Sequence, residues 1–547
     1  MKKILSMLLA LAMLASLAAC GGTTSESSSS SAPDSGTSES SSASQSDADS
    51  SEPVAAEHIL PEEEVVLKVG LHHFRWSPNE EPTEEAPNVF NSTRYISQAY
   101  SEMYPNVSFE PYDMTFNTPT DLIEVLTVLV AGGSAADIFF SWGNSLENFD
   151  WYYNLNDAIL SPNWYEPSTP VWKEMYPEYL WDGTYNCTNI DGDVLSIPVC
   201  FNAPGTAGLF VNTDLFAELG LALPATYQEM VNNTLAFREA GYVGYVPSSF
   251  AAPSDLGSWD WWAFLTPSLS AGYDVLVDTD GDGTASREEY LLSYLRGEHY
   301  IQNNRAVQNL FRVFKYNHTV NMEEGAEAID YGSAWMEGRV AVLQDGLWRL
   351  AGEASNTSRP FDYQVVLHPY VSTDTRFEQD GKTIELTEED ILKLHWTDNG
   401  PDKLDALECS YNVFDPAAQD RSQANADYAI DFLKYLTSTE NLSMIIEENG
   451  SFIGATKSCP VPPLLVDWMN QSFPSKPVAT IFYGNWTAGS ATTRVAILQQ
   501  YVQSMITEEE FFRQYDAESY RDVMQYVEEQ EFDISDLDVY VPEGAEA

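Results

Sequence analysis

The alternation of strand and helix patterns after residue 64 restricts the fold more than any other feature. Residues 65–71 are rich in β-branched side chains, and similar strands are predicted near 107–112 and 136–140. Two helical patterns separate them: one begins at Ser92, a good N-cap residue, and the other covers about 120–130 and ends at a glycine pair. This order predicts an α/β fold with a parallel sheet covered by helices.

The residues that follow these strands are candidates for a binding site. Ligands of parallel sheets bind beyond the carboxyl ends of the strands, where the helices begin. The candidates after the first and third strands are His72, His73, Arg75, Trp142 and Asn144.

The N-terminus predicts secretion and a lipid anchor. Lys2 and Lys3 precede a short apolar run, as in a secretory signal, and the predicted signal covers residues 1–19. Its small residues lead into Cys20, which resembles the lipobox of bacterial lipoproteins. That resemblance implies cleavage before Cys20 and acylation of this residue. More than one acyl chain gives durable anchoring, so we expect the protein on the outer face of the cytoplasmic membrane of a bacterium without an outer membrane.

Residues 20–61 predict a disordered tether. Fifteen of the 27 residues from 25 to 51 are serine, and such a segment cannot bury enough apolar surface to fold. The remaining residues are numerous enough for two or three domains. None of the later segments has about 18 consecutive apolar residues, so we expect no transmembrane helix.

The charge balance excludes several partners. The net charge is −57, with 83 acidic residues. A surface this acidic repels nucleic acid and anionic lipid headgroups. We therefore expect no nucleic-acid partner, and contact with the membrane only through the lipid anchor.

The pairing of the remaining cysteines stays open. A hairpin is predicted around Asp191 and Gly192, and counting from that turn places Cys187 opposite Ser196. A cross-strand disulfide between Cys187 and Cys200 would therefore need a bulge. Four cysteines allow three pairings, and the full set is Cys187, Cys200, Cys409 and Cys459.

Several segments, taken in order, resemble one known family. The chain is similar to the family 1 extracellular solute-binding proteins of ABC importers, of the carbohydrate-binding type related to maltose-binding protein. The segments that carry the resemblance are 130–140, 191–198, 209–226, 336–348 and 429–438. The chain departs from the family by extra sequence near 275–305 and 370–405.

The resemblance implies a two-lobe periplasmic-binding-protein-like fold of type II, with a ligand cleft between the lobes. Closure of the lobes on a ligand is then a hinge motion. We expect the chain to cross between lobes near residues 200, 405 and 440. The expected lobes are residues 62–200 with 405–438 for lobe 1, and 201–404 with 439–547 for lobe 2.

Aromatic side chains are the main candidates for the cleft, because sugars present apolar faces and a rim of hydroxyls. The expected ligand-binding residues are Arg75, Trp142, Asn144, Trp259, Asp345, Trp348 and Trp486. The resemblance implies cleft positions for Trp142, Trp348 and Trp486, whereas Arg75 follows the first strand and Trp259 precedes Asp260. Asp345 would accept bonds from sugar hydroxyls, and a turn role before Gly346 is compatible with that. The alternative for any single tryptophan is a packing role, which we favour for Trp261 and Trp262.

Residues 278–289 fit the twelve-residue EF-hand loop at every ligand position. Gly283 supplies the sharp turn at the sixth position. The expected Ca²⁺ ligands are Asp278, Asp280, Asp282, Thr284, Ser286 and Glu289. We expect a structural calcium site in lobe 2, and no organic cofactor.

Together these features predict a membrane-anchored receptor, not an enzyme. It would capture a carbohydrate, with an oligosaccharide favoured, and deliver it to an ABC permease as a monomer. The alternatives are a secreted calcium-stabilised glycoside hydrolase, which needs only two well-placed carboxylates, and a surface adhesin for glycans. A polyol or peptide ligand also stays open.

Overall fold

The computed structural model describes most of the chain from His58 onward. These residues belong to one compact unit, His58–Ala547. The described residues are 58–74, 91–112, 119–142, 149, 151–169, 171–181, 187–189, 192–202, 207–246, 287–321, 331–367, 369, 373–387, 407–419, 421–470, 486 and 490–545.

The described strands form two main sheets and one hairpin. In chain order they are β1 (Val65–Gly70), β2 (Val107–Pro111), β3 (Ile138–Ser141), β4 (Ile197–Phe201), β5 (Ala207–Asn212), β6 (Val342–Gly346), β7 (Tyr363–Leu367), β8 (Arg376–Gln379), β9 (Lys382–Glu385), β10 (Leu407–Val413) and β11 (Ile453–Gly454). The first sheet has the order β11-β4-β10-β3-β1-β2, the second β6-β5-β7, and β8 pairs with β9.

Helices cover both sheets. In chain order the described α-helices are α1 (Ser92–Met103), α2 (Pro119–Ala131), α3 (Asn156–Leu160), α4 (Thr213–Leu219), α5 (Tyr227–Glu239), α6 (Arg287–Leu295), α7 (Arg305–Tyr316), α8 (Tyr331–Met336), α9 (Arg349–Ser355), α10 (Gln423–Leu436), α11 (Thr439–Asn449), α12 (Pro463–Met469), α13 (Ser490–Val502) and α14 (Glu508–Glu529). Within the described part of the chain, no helix is both long and apolar enough to cross a membrane.

Lobe 1 is built on the first sheet. β1 pairs in parallel with β2 and β3, as the strand and helix alternation predicts. β10 pairs antiparallel with β3 and β4, so the complete sheet is mixed. Its core includes Leu67, Ile138, Phe140, Tyr411 and Phe432, each buried.

Asp137 fixes the start of β3 within this lobe. The side chain is buried, and its two oxygens have different partners. One accepts the backbone N–H of Lys68 on β1 at 2.7 Å, and the other contacts the Arg421 guanidinium at 2.7 Å. The bond from Lys68 links the start of β3 to β1, and the contact with Arg421 holds the carboxylate in place.

Lobe 2 is built on the second sheet, in which β5 pairs antiparallel with β6 and β7. Local signals set its helices: the Asn212 side chain accepts the N–H of Leu215 at the start of α4, and Thr226 with Glu229 forms a capping box at α5. The hairpin β8–β9, within the extra sequence near 370–405, packs Phe377 onto the core of this lobe.

The structure corrects the expected last crossing near residue 440. α11 and β11 belong to lobe 1: β11 pairs with β4, and Leu442 and Ile446 are buried in the lobe 1 core. The Glu448 carboxylate also accepts the backbone N–H of Ser92 at the start of α1, at 2.9 Å. Ile453 of β11 packs into a cluster with Phe210 of β5, and Leu465 of α12 is buried in the same cluster. The last crossing therefore begins at β11 and is complete at α12.

The cysteines also have a different arrangement from the one considered for the hairpin. The backbone N–H of Leu195 donates to the carbonyl of Cys187, which places Cys187 within the hairpin. Cys200 on β4 has Cys409 on β10 as its register partner. Cys200 is thus opposite Cys409 in the sheet and not opposite Cys187.

Candidate functional site

The carboxyl ends of β1 and β3 bring together several of the expected site residues. These strands are neighbours, with Gly70 in register with Phe139. The residues that follow them therefore meet at one edge of the sheet. The His72 ring lies 5.8 Å from the Trp142 ring in an edge-on arrangement, and 4.6 Å from the Phe140 ring.

His72 has a backbone conformation that is uncommon for its residue type. Its φ is 34°, in the left-handed region where side chains other than glycine are disfavoured. Such conformations concentrate at binding and catalytic sites, because the surrounding structure must hold them in place. The strained turn directs the chain away from β1 just where Trp142 follows β3.

Trp142 is half-buried and packs on the lobe 1 core, with its ring edge-on to Phe140 at 4.7 Å. Its partial exposure leaves ring surface for a ligand. A half-buried tryptophan at the end of a parallel strand combines a rigid apolar face with an N–H donor, and sugar binding uses both properties.

Phe452 connects this edge with the short segment between α11 and β11. The His73 ring lies 5.2 Å from the Phe452 ring, and Phe452 is buried. The preceding residue, Ser451, contacts the main chain of Trp348 in lobe 2. Trp348 is half-buried and packs against the lobe 1 core, although it follows β6 of lobe 2. The expected cleft residues Trp142 and Trp348 thus both border the lobe 1 core.

Asp345 precedes Gly346 at the end of β6. It is fully buried, and its carboxylate accepts the backbone N–H of Gly346 at 2.8 Å. Its other oxygen contacts the Arg349 guanidinium at 3.1 Å. Arg349 also contacts Glu353 at 2.7 Å, and Arg359 contacts the same carboxylate at 2.8 Å. This arrangement gives Asp345 the turn role, since its carboxylate holds the chain between β6 and α9.

Trp486 is buried in the core of lobe 2, which differs from the expectation of a cleft residue. Its backbone N–H donates to the Asp522 carboxylate at 3.0 Å. Its ring lies 5.0 Å from Tyr526 and 5.8 Å from Tyr294. Only 2% of Trp486 is exposed, so a packing role explains this residue.

The other expected site residues lie outside the described part of the chain. They are Arg75, Asn144, Trp259, Asp278, Asp280, Asp282, Thr284, Ser286 and the lipidation site Cys20. Glu289, the last expected calcium ligand, is described: it is half-buried in the first turn of α6. Within the described residues, the structure contains no group of three or more potential metal ligands.

Sequence reasoning missed Ser451 and Phe452. Both are buried, and both lie in a short segment between α11 and β11. A serine and a phenylalanine near a glycine carry no pattern that separates a segment in contact with the other lobe from an ordinary turn. The expected crossing near residue 440 also directed attention away from this segment.

Comparison with known proteins agrees with this architecture. A model of the bacterial extracellular solute-binding protein family matches residues 91–442, which is more than half of the chain. No curated protein sequence matches. Solved structures with a similar fold include a chitin oligosaccharide binding protein, with 15% identity over 84% of this chain and 99% of that chain and a TM-score of 0.57.

Two further solved structures are similar over 84% of this chain. The cyclic alpha-maltosyl-1,6-maltose binding protein from Arthrobacter globiformis has 15% identity, 99% of its own length covered and a TM-score of 0.51. Maltose-bound MalE3 of T. maritima has 13% identity, 100% of its length covered and a TM-score of 0.53. At these identities the likeness shows the fold, which is the two-lobe α/β fold of periplasmic binding proteins.

Proposed function

Because the chain belongs to the family of bacterial extracellular solute-binding proteins, we propose that it captures a carbohydrate outside the cell and delivers it to an ABC permease. The observation that carries the carbohydrate proposal is the pair of half-buried tryptophans, Trp142 after β3 and Trp348 after β6. An oligosaccharide is the favoured ligand, and the names of the similar structures, which refer to chitin oligosaccharide and maltose, support this class.

In this proposal, side chains from both lobes contribute to the binding surface. Trp142 and the neighbouring His72 and His73 provide an aromatic and polar surface on lobe 1. Trp348 follows β6 of lobe 2 and packs against the lobe 1 core, so it provides an aromatic face where the two lobes meet. Contacts made only when both lobes hold the ligand favour the closed form, so the ligand drives closure by differential affinity. Covalent chemistry has no part in this cycle.

Thermal denaturation with a panel of mono- and oligosaccharides, polyols and short peptides tests the proposal. A ligand at about 100 times its Kd stabilises the folded state by about 2.7 kcal/mol, because it binds only the folded protein. We expect one carbohydrate class to raise the melting temperature by several degrees. Trp142→Phe should weaken this response, whereas Trp164→Phe should not, since Trp164 stacks on His58 at the start of lobe 1.

The result that would contradict the carbohydrate proposal is a shift produced only by polyols or only by peptides. Turnover of an oligosaccharide during the incubation would favour a glycoside hydrolase.

The buried contact between Ser293 and His299 gives no support to hydrolysis, although it resembles part of a nucleophile and base pair. Their atoms are 2.5 Å apart, but both residues are buried within lobe 2, where a substrate has no access.

We further propose that residues 278–289 bind a structural Ca²⁺ ion. The spacing of the oxygen ligands supports this proposal, and hard oxygen ligands in this number suit Ca²⁺. The loop ends in α6, whose residues Tyr290, Leu291 and Leu295 are buried in the lobe 2 core. An ion at about 1 mM, with a Kd near 10 μM, would stabilise the folded state by about 2.7 kcal/mol.

A matched pair of variants tests the calcium proposal. Glu289→Gln removes the bidentate ligand at the last position, whereas Glu288→Gln makes the same charge change at an exposed neighbour. We expect chelation with EGTA to lower the melting temperature of the wild type and of Glu288→Gln, but not of Glu289→Gln. Equal responses of all three proteins would contradict the proposal.

Lipid anchoring through Cys20 completes the proposal. A tether from the membrane would hold the receptor within reach of its permease, and two acyl chains suffice for stable attachment. Mass spectrometry of the mature N-terminus, combined with Cys20→Ala, tests this part. A soluble, unacylated product of the wild type would contradict it.

A further inference from the structure

Gly346, the last residue of β6, lies directly under the indole of Trp348. A Cβ atom built on Gly346 would lie 2.3 to 2.4 Å from three ring carbons of Trp348, Cε2, Cζ2 and Cη2. Real Cβ atoms do not approach other carbons so closely, so any other residue at position 346 would displace the ring. The backbone of Gly346 is not in the left-handed region. The glycine is therefore required for space, and not for its conformational freedom.

Ser451 holds the main chain of the same tryptophan. Its hydroxyl donates to the Trp348 carbonyl at 3.1 Å and accepts the backbone N–H of Ala351 at 3.2 Å. Trp348 is the N-cap residue of α9, and its own side chain makes no capping bond. Ser451, which is 2% exposed, thus supplies the capping oxygen from a distant segment.

The segment that carries Ser451 belongs to lobe 1. It joins α11 to β11, and β11 pairs with β4 of the first sheet. The next residue, Phe452, packs on His73 at the candidate site. The main chain of Trp348 in lobe 2 is therefore fixed by a hydroxyl from lobe 1, whose neighbour contacts the other side of the site.

We infer that Gly346 and Ser451 are positioning residues for Trp348: the glycine lets the indole pack closely on the end of β6, and the serine fixes the turn that carries the indole. The inference rests on the proposed function, because it assigns these residues a role in carbohydrate binding. A ring that is already oriented loses less conformational freedom on binding, so affinity depends on this preorganisation. Neither residue needs to touch the ligand.

Gly346→Ala with Gly352→Ala as its control tests the role of the glycine. Gly352 lies in α9, close to Trp348 in the chain, and a Cβ there meets nothing within 4 Å. The first readout needs no ligand: the indole N–H resonance of Trp348 in a ¹⁵N correlation spectrum, assigned by its loss in Trp348→Phe. We expect Gly346→Ala to move this resonance and Gly352→Ala to leave it in place.

The second readout is the affinity for the carbohydrate that stabilises the wild type most strongly. We expect Gly346→Ala to weaken binding at least tenfold and Gly352→Ala to leave it within twofold. An unmoved resonance in Gly346→Ala overturns the inference. A moved resonance with unchanged affinity also overturns it, because the orientation of Trp348 would then have no part in binding.

Ser451→Ala tests the serine, and Ser451→Thr, which retains the hydroxyl, should restore the wild-type behaviour. Ser355→Ala is the control, since Ser355 makes only a local bond to the Gly352 carbonyl in the same helix. We expect Ser451→Ala to move the Trp348 resonance and weaken binding about threefold. Wild-type behaviour of Ser451→Ala in both readouts would overturn the role of the serine. Should Gly346→Ala fail to fold, the serine variants keep the inference testable.

The two readouts separate this inference from the proposed function. If no carbohydrate binds to the wild type, the proposed function fails, and the resonance of Trp348 still reports whether Gly346 and Ser451 set its orientation. If a carbohydrate binds equally well to the wild type and to both variants, the proposed function stands and the positioning role fails.

Discussion

Acidification from about pH 7.5 to about pH 5 should destabilise the protein through His299, a buried residue of lobe 2. Burial lowers the pKa of His299 to about 3, because the charged imidazolium loses its hydration. The ring stacks on Tyr294 at 4.5 Å, and its Nδ1 contacts the Ser293 hydroxyl at 2.5 Å. The folded state thus holds the imidazole neutral at both pH values, whereas the unfolded chain binds a proton below about pH 6.5.

The sign and magnitude follow from proton linkage. A base whose folded-state pKa is depressed gives stability that is complete above its unfolded pKa and is lost as the pH falls. With an unfolded pKa of about 6.5, the lost stability at about pH 5 is about 2 kcal/mol. Burial also lowers the pKa of His318 to about 3, so this second histidine adds a loss of similar size.

Asp516 on α14 acts in the opposite direction. Its carboxylate accepts the backbone N–H groups of Ile301 and Gln302 at 2.9 and 2.8 Å, but burial raises its pKa to about 7. An acid whose folded-state pKa is raised gains stability as the pH falls toward its unfolded pKa. This gain is about 2.5 kcal/mol at about pH 5, and it partly offsets the stability lost through the two histidines. A single wild-type pH profile therefore does not isolate His299.

The decisive measurement is urea unfolding of the wild type, His299→Asn and Ser293→Ala at both pH values. Asparagine keeps a polar atom near Ser293 but does not titrate, so His299→Asn should lose about 2 kcal/mol less than the wild type on acidification. Ser293→Ala disturbs the same contact but keeps the imidazole, so its loss should equal that of the wild type. An identical pH dependence of His299→Asn and the wild type would refute this reasoning.

Two further predictions concern lobe 2. Arg494→Met should lower the free energy of unfolding by about 3–5 kcal/mol, because it leaves the buried Asp522 carboxylate without the guanidinium 3.2 Å away. Urea unfolding should show a smaller loss in the double variant with Asp522→Asn, which removes the charge and keeps an oxygen for the Trp486 N–H; equal losses would contradict this. Gly244→Ala should lower the free energy of unfolding by about 1–3 kcal/mol. The added Cβ would lie 2.4 Å from the Thr234 carbonyl oxygen, which is part of a helix backbone and cannot move away easily. An unchanged melting temperature would refute that clash.

The elements before residue 141 could be predicted from the sequence because local signals agree there with the global fold. The strand predicted at 65–71 is β1, Val65–Gly70, and the helix predicted from Ser92 is α1. β-branching and glycine stops act within a few residues, so they need no knowledge of tertiary contacts. The predicted cap is wrong, because the N-cap residue of α1 is Asn91, whose side chain makes no capping bond. The N–H of Ser92 instead donates to Glu448 from a distant segment. The rule that ligands bind at strand ends also placed Trp142 and His72 at one edge, where the structure has them 5.8 Å apart.

The sequence does not predict to which lobe α11 belongs. An amphipathic helix needs an apolar partner, but its pattern does not say which core supplies that partner. The contacts that decide the question link Leu442 to the first core and Glu448 to Ser92, more than 350 residues apart in the chain. Trp486 illustrates the same limit, because a buried core and an aromatic platform favour the same side chain.

The contact between Ser451 of lobe 1 and the turn at Trp348 of lobe 2 is the part of the candidate site that is hardest to predict from sequence patterns. Ser451 acts through one hydroxyl, and its partners Trp348 and Ala351 lie about one hundred residues earlier. A hydroxyl that caps a helix from the same chain segment has a recognisable spacing, whereas one that caps from another lobe has none. Substitutions in the segment that carries Ser451 should therefore alter binding through the orientation of Trp348. Residues that contact the ligand directly would not include them.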